Sequence, residues 1–211
     1  MKHLVYLLLG ALALTTPALA QDATEADTAA SPYEEGSVAV EDGLASWQLV
    51  YDVASHPRCA NCHVGADNVP MWSGPSFGGT RPHGMNINAG ESRIGAETLA
   101  CSTCHTTLTE DDPGANALAH AAPRTAEPWM LPPAEAEWFG RSSAEVCNQL
   151  KDPERNGGRS VAEIAAHMQE SALVRWGWTP GGTREPAPHS LEAAVDALQK
   201  WAAAGTPCPD Q

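Results

Sequence analysis

Two short runs carry the reactive side chains of this chain: Cys59-Ala60-Asn61-Cys62-His63 and Cys101-Ser102-Thr103-Cys104-His105. Both are C-x-x-C-H, the spacing by which c-type haem is attached. Two thiols at this spacing add across the two vinyl groups of one haem, and the histidine that follows reaches the iron from the proximal side. The same cysteines allow two other readings, a thioredoxin-like redox pair or a zinc site made from two C-x-x-C pairs. A histidine directly after each pair favours haem, and no βαβ pattern of the thioredoxin kind surrounds either run. The expectation is two haem c groups on Cys59, Cys62, Cys101 and Cys104, with His63 and His105 as proximal iron ligands.

Of six cysteines, Cys147 and Cys208 remain, and neither begins another C-x-x-C-H. In an oxidising compartment the simplest account is one disulfide; two unpaired thiols are the alternative. A bridge would close a loop of about 60 residues, for about 4 kcal/mol in the chain-entropy model.

Six-coordinate iron needs a second axial ligand, usually His or Met. The histidines outside the motifs and the start of the chain are His56, His83, His120, His167 and His189; the methionines are Met71, Met85, Met130 and Met168. His83, in Arg81-Pro-His-Gly-Met-Asn86, lies on a loop between the motifs with reach to either iron, and Met85 competes with it locally. His167 sits at the shoulder of an apolar helix face, which suits a ligand or a surface histidine paired with Glu163. Met130, in Pro128-Trp-Met-Leu-Pro-Pro133, could press its sulfur against a haem. His56 is too close to Cys59 to swing across its own haem. His120 and His189 read as loop residues, and Met168 as core.

These residues need elements to position them. Asp42 to Ala54 reads as a helix with Leu44, Trp47, Tyr51 and Ala54 on one face, stopping near Pro57. Residues 64–93 are rich in Gly and Pro and read as loop, Glu97 to His105 as a short helix, and 106–135 as loop. Ser142-Ser-Ala-Glu145 and Ser160-Val-Ala-Glu163 are capping boxes, each opening a helix. Asp152 to Gly158 is a turn. Ser190 caps a last helix whose Leu191, Val195, Leu198 and Trp201 form an apolar stripe ending at Gly205.

Residues 1–20, with a basic start, an apolar stretch and Ala18 and Ala20, read as a secretory signal peptide. Residues 21–42 carry seven acids and no base and read as an acidic, disordered leader. Residues 43–211 are then the folded domain, in the periplasm and without a membrane span. The formal net charge of −14 excludes nucleic acid and favours redox partner proteins that dock through a basic patch.

Leu, Ile, Val and Phe make only 33 of 211 residues, a composition that by itself indicates disorder. Seven Trp argue otherwise. The expected resolution is a mainly α domain with extensive loop, a compact dihaem cytochrome c-like fold of short helices around two covalent haems that replace the missing core, so that folding depends on haem.

Taken together, His56-Pro-Arg-Cys-Ala-Asn-Cys-His63, Cys101-Ser-Thr-Cys-His105, Leu150-Lys-Asp-Pro-Glu-Arg-Asn-Gly-Gly-Arg-Ser160 and Trp176-Gly-Trp-Thr-Pro-Gly-Gly-Thr-Arg-Glu-Pro-Ala-Pro188 resemble a family of exported dihaem c-type cytochromes that carry the label isoquinoline 1-oxidoreductase-associated subunits. The resemblance covers roughly residues 47–209 and implies electron transfer, with an exported molybdenum hydroxylase as a partner it suggests. Members of that family often carry His where this chain has Met130, which is either a ligand exchange or a sign that the position holds no iron. The leading expectation is a periplasmic carrier of single electrons and not an enzyme. The alternative is a dihaem peroxidase-like enzyme with one open haem coordination site.

Overall fold

The computed structural model describes residues 31–95, 97, 99–105, 129–181 and 184–210. The expected signal peptide at 1–20, residues 21–30 of the expected leader, most of the loop 106–135 and His120 lie outside them. The described chain is mainly helical, and none of its helices is long and apolar enough to cross a membrane.

The first helix, α1 (Val40–Ala54), places Glu41 and Asp42 in its first turn, where carboxylates favour the helix dipole. Its buried face runs through Trp47, Val50, Val53 and Ala54, a quarter-turn from the face expected, with Leu44 and Tyr51 only half-buried at the edge. After a four-residue α2 (Pro57–Ala60) come β1 (Met71–Trp72) and β2 (Arg81–Pro82), an antiparallel pair of two residues each. Beyond the loops lie α3 (Ser143–Leu150), α4 (Val161–Glu170), α5 (Ala172–Arg175) and α6 (Leu191–Ala203). Both capping boxes form, and Ser190 caps α6 by accepting from the Ala193 amide. Gly205 follows α6 at φ +81°.

Helices α1, α3, α4 and α6 enclose a core made of side chains alone. Trp47 and Trp201 meet at 5.0 Å between ring centres, among Val50, Val146, Leu150, Val195 and Leu198. Each indole N–H is satisfied, Trp47 by Ser143 Oγ and Trp201 by the Pro207 carbonyl, both at 2.9 Å. Ala54, Ala165 and Ala197 fill the places between them. The small residues that made the composition look thin let these helices approach closely, so this half of the molecule has a side-chain core of its own, with Trp47 and Trp201 inside it. Gly43 serves the same end, because a Cβ there would collide with Ala204 of the chain leaving α6.

Cys147 on α3 and Cys208 beyond α6 form a disulfide with Cα atoms 5.7 Å apart. The chain ahead of α1 is also tied down. Tyr33 donates its hydroxyl to Asp196 at 2.6 Å, and the Gly36 amide donates to the Ala203 carbonyl at 2.7 Å. Folded structure therefore begins ahead of the boundary expected at residue 43, inside the acidic leader, because that segment has α6 to bond to.

The half between residues 61 and 105 has little regular structure and one buried hub. Arg93, at φ +64°, donates to the carbonyls of Pro132 (2.8 Å), Gly65 (2.9 Å) and Val64 (2.9 Å) and to Asn68 Oδ1 (2.7 Å). Its own carbonyl accepts from the Leu131 amide at 2.9 Å. The short helix expected over 97–105 is a single 3-10 turn, Cys101–Thr103. Glu97 folds back onto Ser92, and the Cys101 amide donates to the Ile94 carbonyl at 2.9 Å, closing a loop instead.

Two stability tests follow from this packing. Arg93→Ala strands several buried acceptors at once and should destabilise the protein by about 3–5 kcal/mol, read by denaturant unfolding; Arg93→Lys should recover little, since one ammonium cannot span the same carbonyls. The double variant Cys147→Ala/Cys208→Ala should lower Tm by about 10 °C, and calorimetry would show it.

Candidate functional site

The two C-x-x-C-H runs fold into the same turn. In the first, the amides of Cys62 and His63 both donate to the Cys59 carbonyl, at 3.1 and 3.2 Å; in the second, those of Cys104 and His105 both donate to the Cys101 carbonyl, at 3.2 and 2.9 Å. One helical turn thus brings each cysteine pair and its histidine to one side. All four motif cysteines are free thiols. Burial pushes the Cys59 thiol up to about 12 and the Cys62 thiol up to about 11, the latter helped by the nearby Cys101. Burial also raises Cys101. Thiols held protonated are the opposite of the activated thiolates that thioredoxin-type exchange uses. Among the described residues no three His, Cys, Asp or Glu side chains gather as a metal-binding group, so the four cysteines do not form the single set that a zinc site needs.

Both motif histidines are clamped on an indole. His63 stacks on Trp138 at 3.4 Å between ring centres and 3° between planes. His105 stacks on Trp129 at 4.2 Å and 12°. The His63 main chain is held as well, since its carbonyl accepts from the amides of Trp138 and Phe139 at 2.8 and 3.0 Å. Its Nδ1 lies 2.9 Å from the Ala136 carbonyl. A carbonyl only accepts, so the proton sits on Nδ1 and the Nε2 lone pair is left for a metal. Burial holds the His63 imidazole far below its usual pKa, at about 3, and therefore neutral.

Between the two turns lies a cleft of about 260 Å³. Cys62, Cys101, Cys104 and His105 line it, with Trp72, Phe77, Trp129, Leu131 and Trp176 giving an apolar wall. His83 lines it too. Its Nδ1 lies 2.9 Å from the Gly84 carbonyl, which again leaves Nε2 free. Its ring centre stands 6.2 Å from that of His105. The two ring planes are tilted by 54°.

The other candidates are placed elsewhere. His167, exposed on α4, bears on His63 through its charge but does not line the cleft. Met130 is 40% exposed and outside the lining. Met85 stands at the cleft mouth, 79% exposed. Met168 packs on the helical core, as its place in the sequence suggests. His56 is a helix cap, its Nδ1 accepting from the Arg58 amide at 3.3 Å. His189 pairs through Nε2 with Asp52 at 3.0 Å.

The sequence reading missed the clamps Trp129 and Trp138, whose only signal was the number of tryptophans, and it missed Arg58. The Arg58 side chain is 4% exposed and pairs with Glu185 at 3.1 Å. Its guanidinium lies over Trp176 at 5.5 Å. Burial lowers its pKa, against the opposing pull of Glu185.

These observations answer whether the residues fit c-type haem. Cys62, Cys101, Cys104 and His105 line the apolar cleft whereas Cys59 and His63 do not, and a free thiol pair followed by an imidazole is the donor set that the group requires. Set against protein-family models, curated proteins and solved structures, the chain matches no family model, no curated protein and no solved structure.

Proposed function

We propose that the protein is an exported dihaem c-type cytochrome that carries single electrons between a dehydrogenase or hydroxylase and a downstream acceptor. One observation carries this reading: two C-x-x-C-H turns with the same hydrogen-bond pattern reach a common apolar cleft, the first through Cys62 and the second through Cys101, Cys104 and His105, with the His83 imidazole 6.2 Å from that of His105. Bound there, haem iron supplies reversible one-electron exchange, and the protein's part is to hold, orient and enclose it.

Cys59 and Cys62 would hold one haem and Cys101 and Cys104 the other, through thioethers, and His63 and His105 would bind the irons. The Ala136 carbonyl fixes the His63 tautomer, and the Trp138 and Trp129 faces fix the two ring planes. His83, beside His105 in the cleft wall, would supply a further ligand to the iron that His105 holds. His167, whose charge reaches His63, is the candidate for the other iron; Met130 has no contact with the cleft to support that role. A His/His pair at the His105 iron sets its potential below that of a His/Met pair.

The acidic chain suits a donor or acceptor with a basic docking patch. The family resemblance suggests an exported molybdenum hydroxylase as one such partner, in the periplasm.

Pyridine haemochrome analysis of the exported protein should give two haems per chain, and one or none would end the dihaem reading. The ferrous parent should not bind carbon monoxide; ready binding at one haem would support the peroxidase-like alternative. His83→Ala should convert one haem to the high-spin form and open it to carbon monoxide while both haems stay attached. A spectrum unchanged from the parent would remove His83 as a ligand.

A further inference from the structure

We infer that the surface around the second attachment turn, bearing Met85, Ile94 and Met130 together with Glu91 and Glu97, is a docking face for electron exchange. Its partner is a redox protein with an apolar patch ringed by Lys or Arg; this rests on the dihaem reading above. The two turns share a hydrogen-bond pattern but not an exposure. Between the cysteines of the first, Ala60 and Asn61 are buried, at 4% and 8% exposure. The Met71 amide donates to the Asn61 carbonyl at 2.9 Å, and the amides of Trp138 and Phe139 close on His63. Between the cysteines of the second, Ser102 and Thr103 are exposed, as is Cys104 itself. Electron tunnelling weakens steeply with distance, so of two similar centres the one nearer the surface meets the partner.

Large apolar side chains left in solvent gather there. Among the described residues they are Val40, Met85, Ile94 and Met130, and all but Val40 border the second turn. Met85 stands at the mouth of the cleft that Cys101, Cys104 and His105 line. The Ile94 carbonyl accepts from the Cys101 amide at 2.9 Å. Met130 follows Trp129, the indole stacked on His105, and precedes Leu131, whose amide donates to the Arg93 carbonyl next to Ile94. Exposed apolar clusters mark interaction surfaces, and an interface joins an apolar centre to a polar rim.

The charges beside these side chains select the partner. From residue 61 to 105 the exposed charged side chains among the described residues are Asp67, Arg81, Glu91 and Glu97. The one cation, Arg81, lies over the Trp72 ring at 5.4 Å. Glu91 and Glu97 sit on the loop that carries Ile94. Ser92 fastens the Glu97 carboxylate, its amide and hydroxyl donating at 3.1 and 2.9 Å. The amides of Glu97 itself and of Ser92 hold that carboxyl below its usual pKa, so it is ionised where a partner arrives. A second copy of this chain would bring the same acids and a net charge of −14, so the face fits a basic protein instead. One electron passes per encounter, the donor protein oxidised as the acceptor is reduced.

The test uses the holoprotein and, as probe, a small basic cytochrome whose haem edge is ringed by lysines. With the probe bound, amide hydrogen exchange of the parent should slow at residues 91–95 and 101–105 and stay unchanged at the start of α1, where Val40 is exposed. Stopped-flow electron exchange between the two proteins should be fast at low salt and slow as salt screens the charges. Glu91→Lys should lower the rate constant about tenfold at low salt and little at high salt. Ile94→Gln/Met130→Gln should lower it about fivefold at either salt, with two haems still attached. Val40→Gln and Glu34→Lys, on another surface, should match the parent. The docking face is overturned, with the dihaem reading left standing, if both face variants match the parent or the two remote variants lose as much. Slowed exchange elsewhere than at 91–95 and 101–105 would overturn it equally. A parent without haem would overturn both. Should the double variant fail to fold, the exchange map and Glu91→Lys decide.

Discussion

Between residues 61 and 105 the chain must hold two attachment turns in fixed relation with almost no β ladder, and a single buried guanidinium makes that possible. Backbone carbonyls that a sheet would pair are instead gathered on Arg93: Val64 and Gly65 just after the first motif, and Pro132 just after Trp129. Its positive φ turns the chain so that its own carbonyl receives Leu131. Arginine suits this task because its five donors lie in one plane and spread over several acceptors at once. The first turn, the segment approaching the second turn and the indole behind His105 therefore share one anchor. The rest of that segment, Ala136 to Phe139, closes on His63 and leads into α3, so the loops are tied to the helical core through the histidine clamp.

The histidines sort themselves by which ring nitrogen is already committed. A carbonyl beside Nδ1 forces the proton there, and that is the arrangement at His63 and His83. At His56 the neighbour is a backbone N–H, so Nδ1 is the acceptor and the proton moves to Nε2. At His189 a carboxylate occupies Nε2. Tautomer is thus set by partners that a metal does not displace. His63 and His83 thus keep Nε2 clear of these bonds, whereas His56 and His189 are spent on a helix cap and an ion pair. Rings fixed on tryptophan faces lose the rotation that would otherwise have to be frozen when iron binds.

What could be read from the sequence was what is local. The two C-x-x-C-H runs, both capping boxes, the Ser190 cap and the α6 stripe depend on residues within one or two turns of each other, and the structure contains each of them. The Cys147–Cys208 bridge is long-range but followed from counting cysteines. Arg93, Trp129 and Trp138 were not legible because their partners lie 24 to 75 residues away and nothing in a lone Arg or Trp names them. The core was misjudged for a related reason. Counting Leu, Ile, Val and Phe undervalues a bundle in which two tryptophans supply the bulk and alanines bring the backbones together. His83 was singled out for its loop, while its position beside His105 came only from the fold.

Charge differs between the cleft wall and the loops around it, and under the proposed function the two patterns would serve different steps of electron transfer. Asp67, Glu91, Glu97 and Glu135 are exposed on the loops that carry the motifs or flank them. Their field acts over about a Debye length and governs encounter. The cleft wall has arginines and no carboxylate among the described residues. A cation close to iron and away from water favours the state of lower charge, the ferrous one, and acts with a weaker screen than any surface acid. Acids on the inner wall would cancel that effect, and arginines on the outer surface would repel a basic partner. Under the proposed reading this separation is what a carrier would need, and within a chain of net charge −14 it rests on burying Arg58, Arg93 and Arg184 while the loop carboxylates stay in solvent.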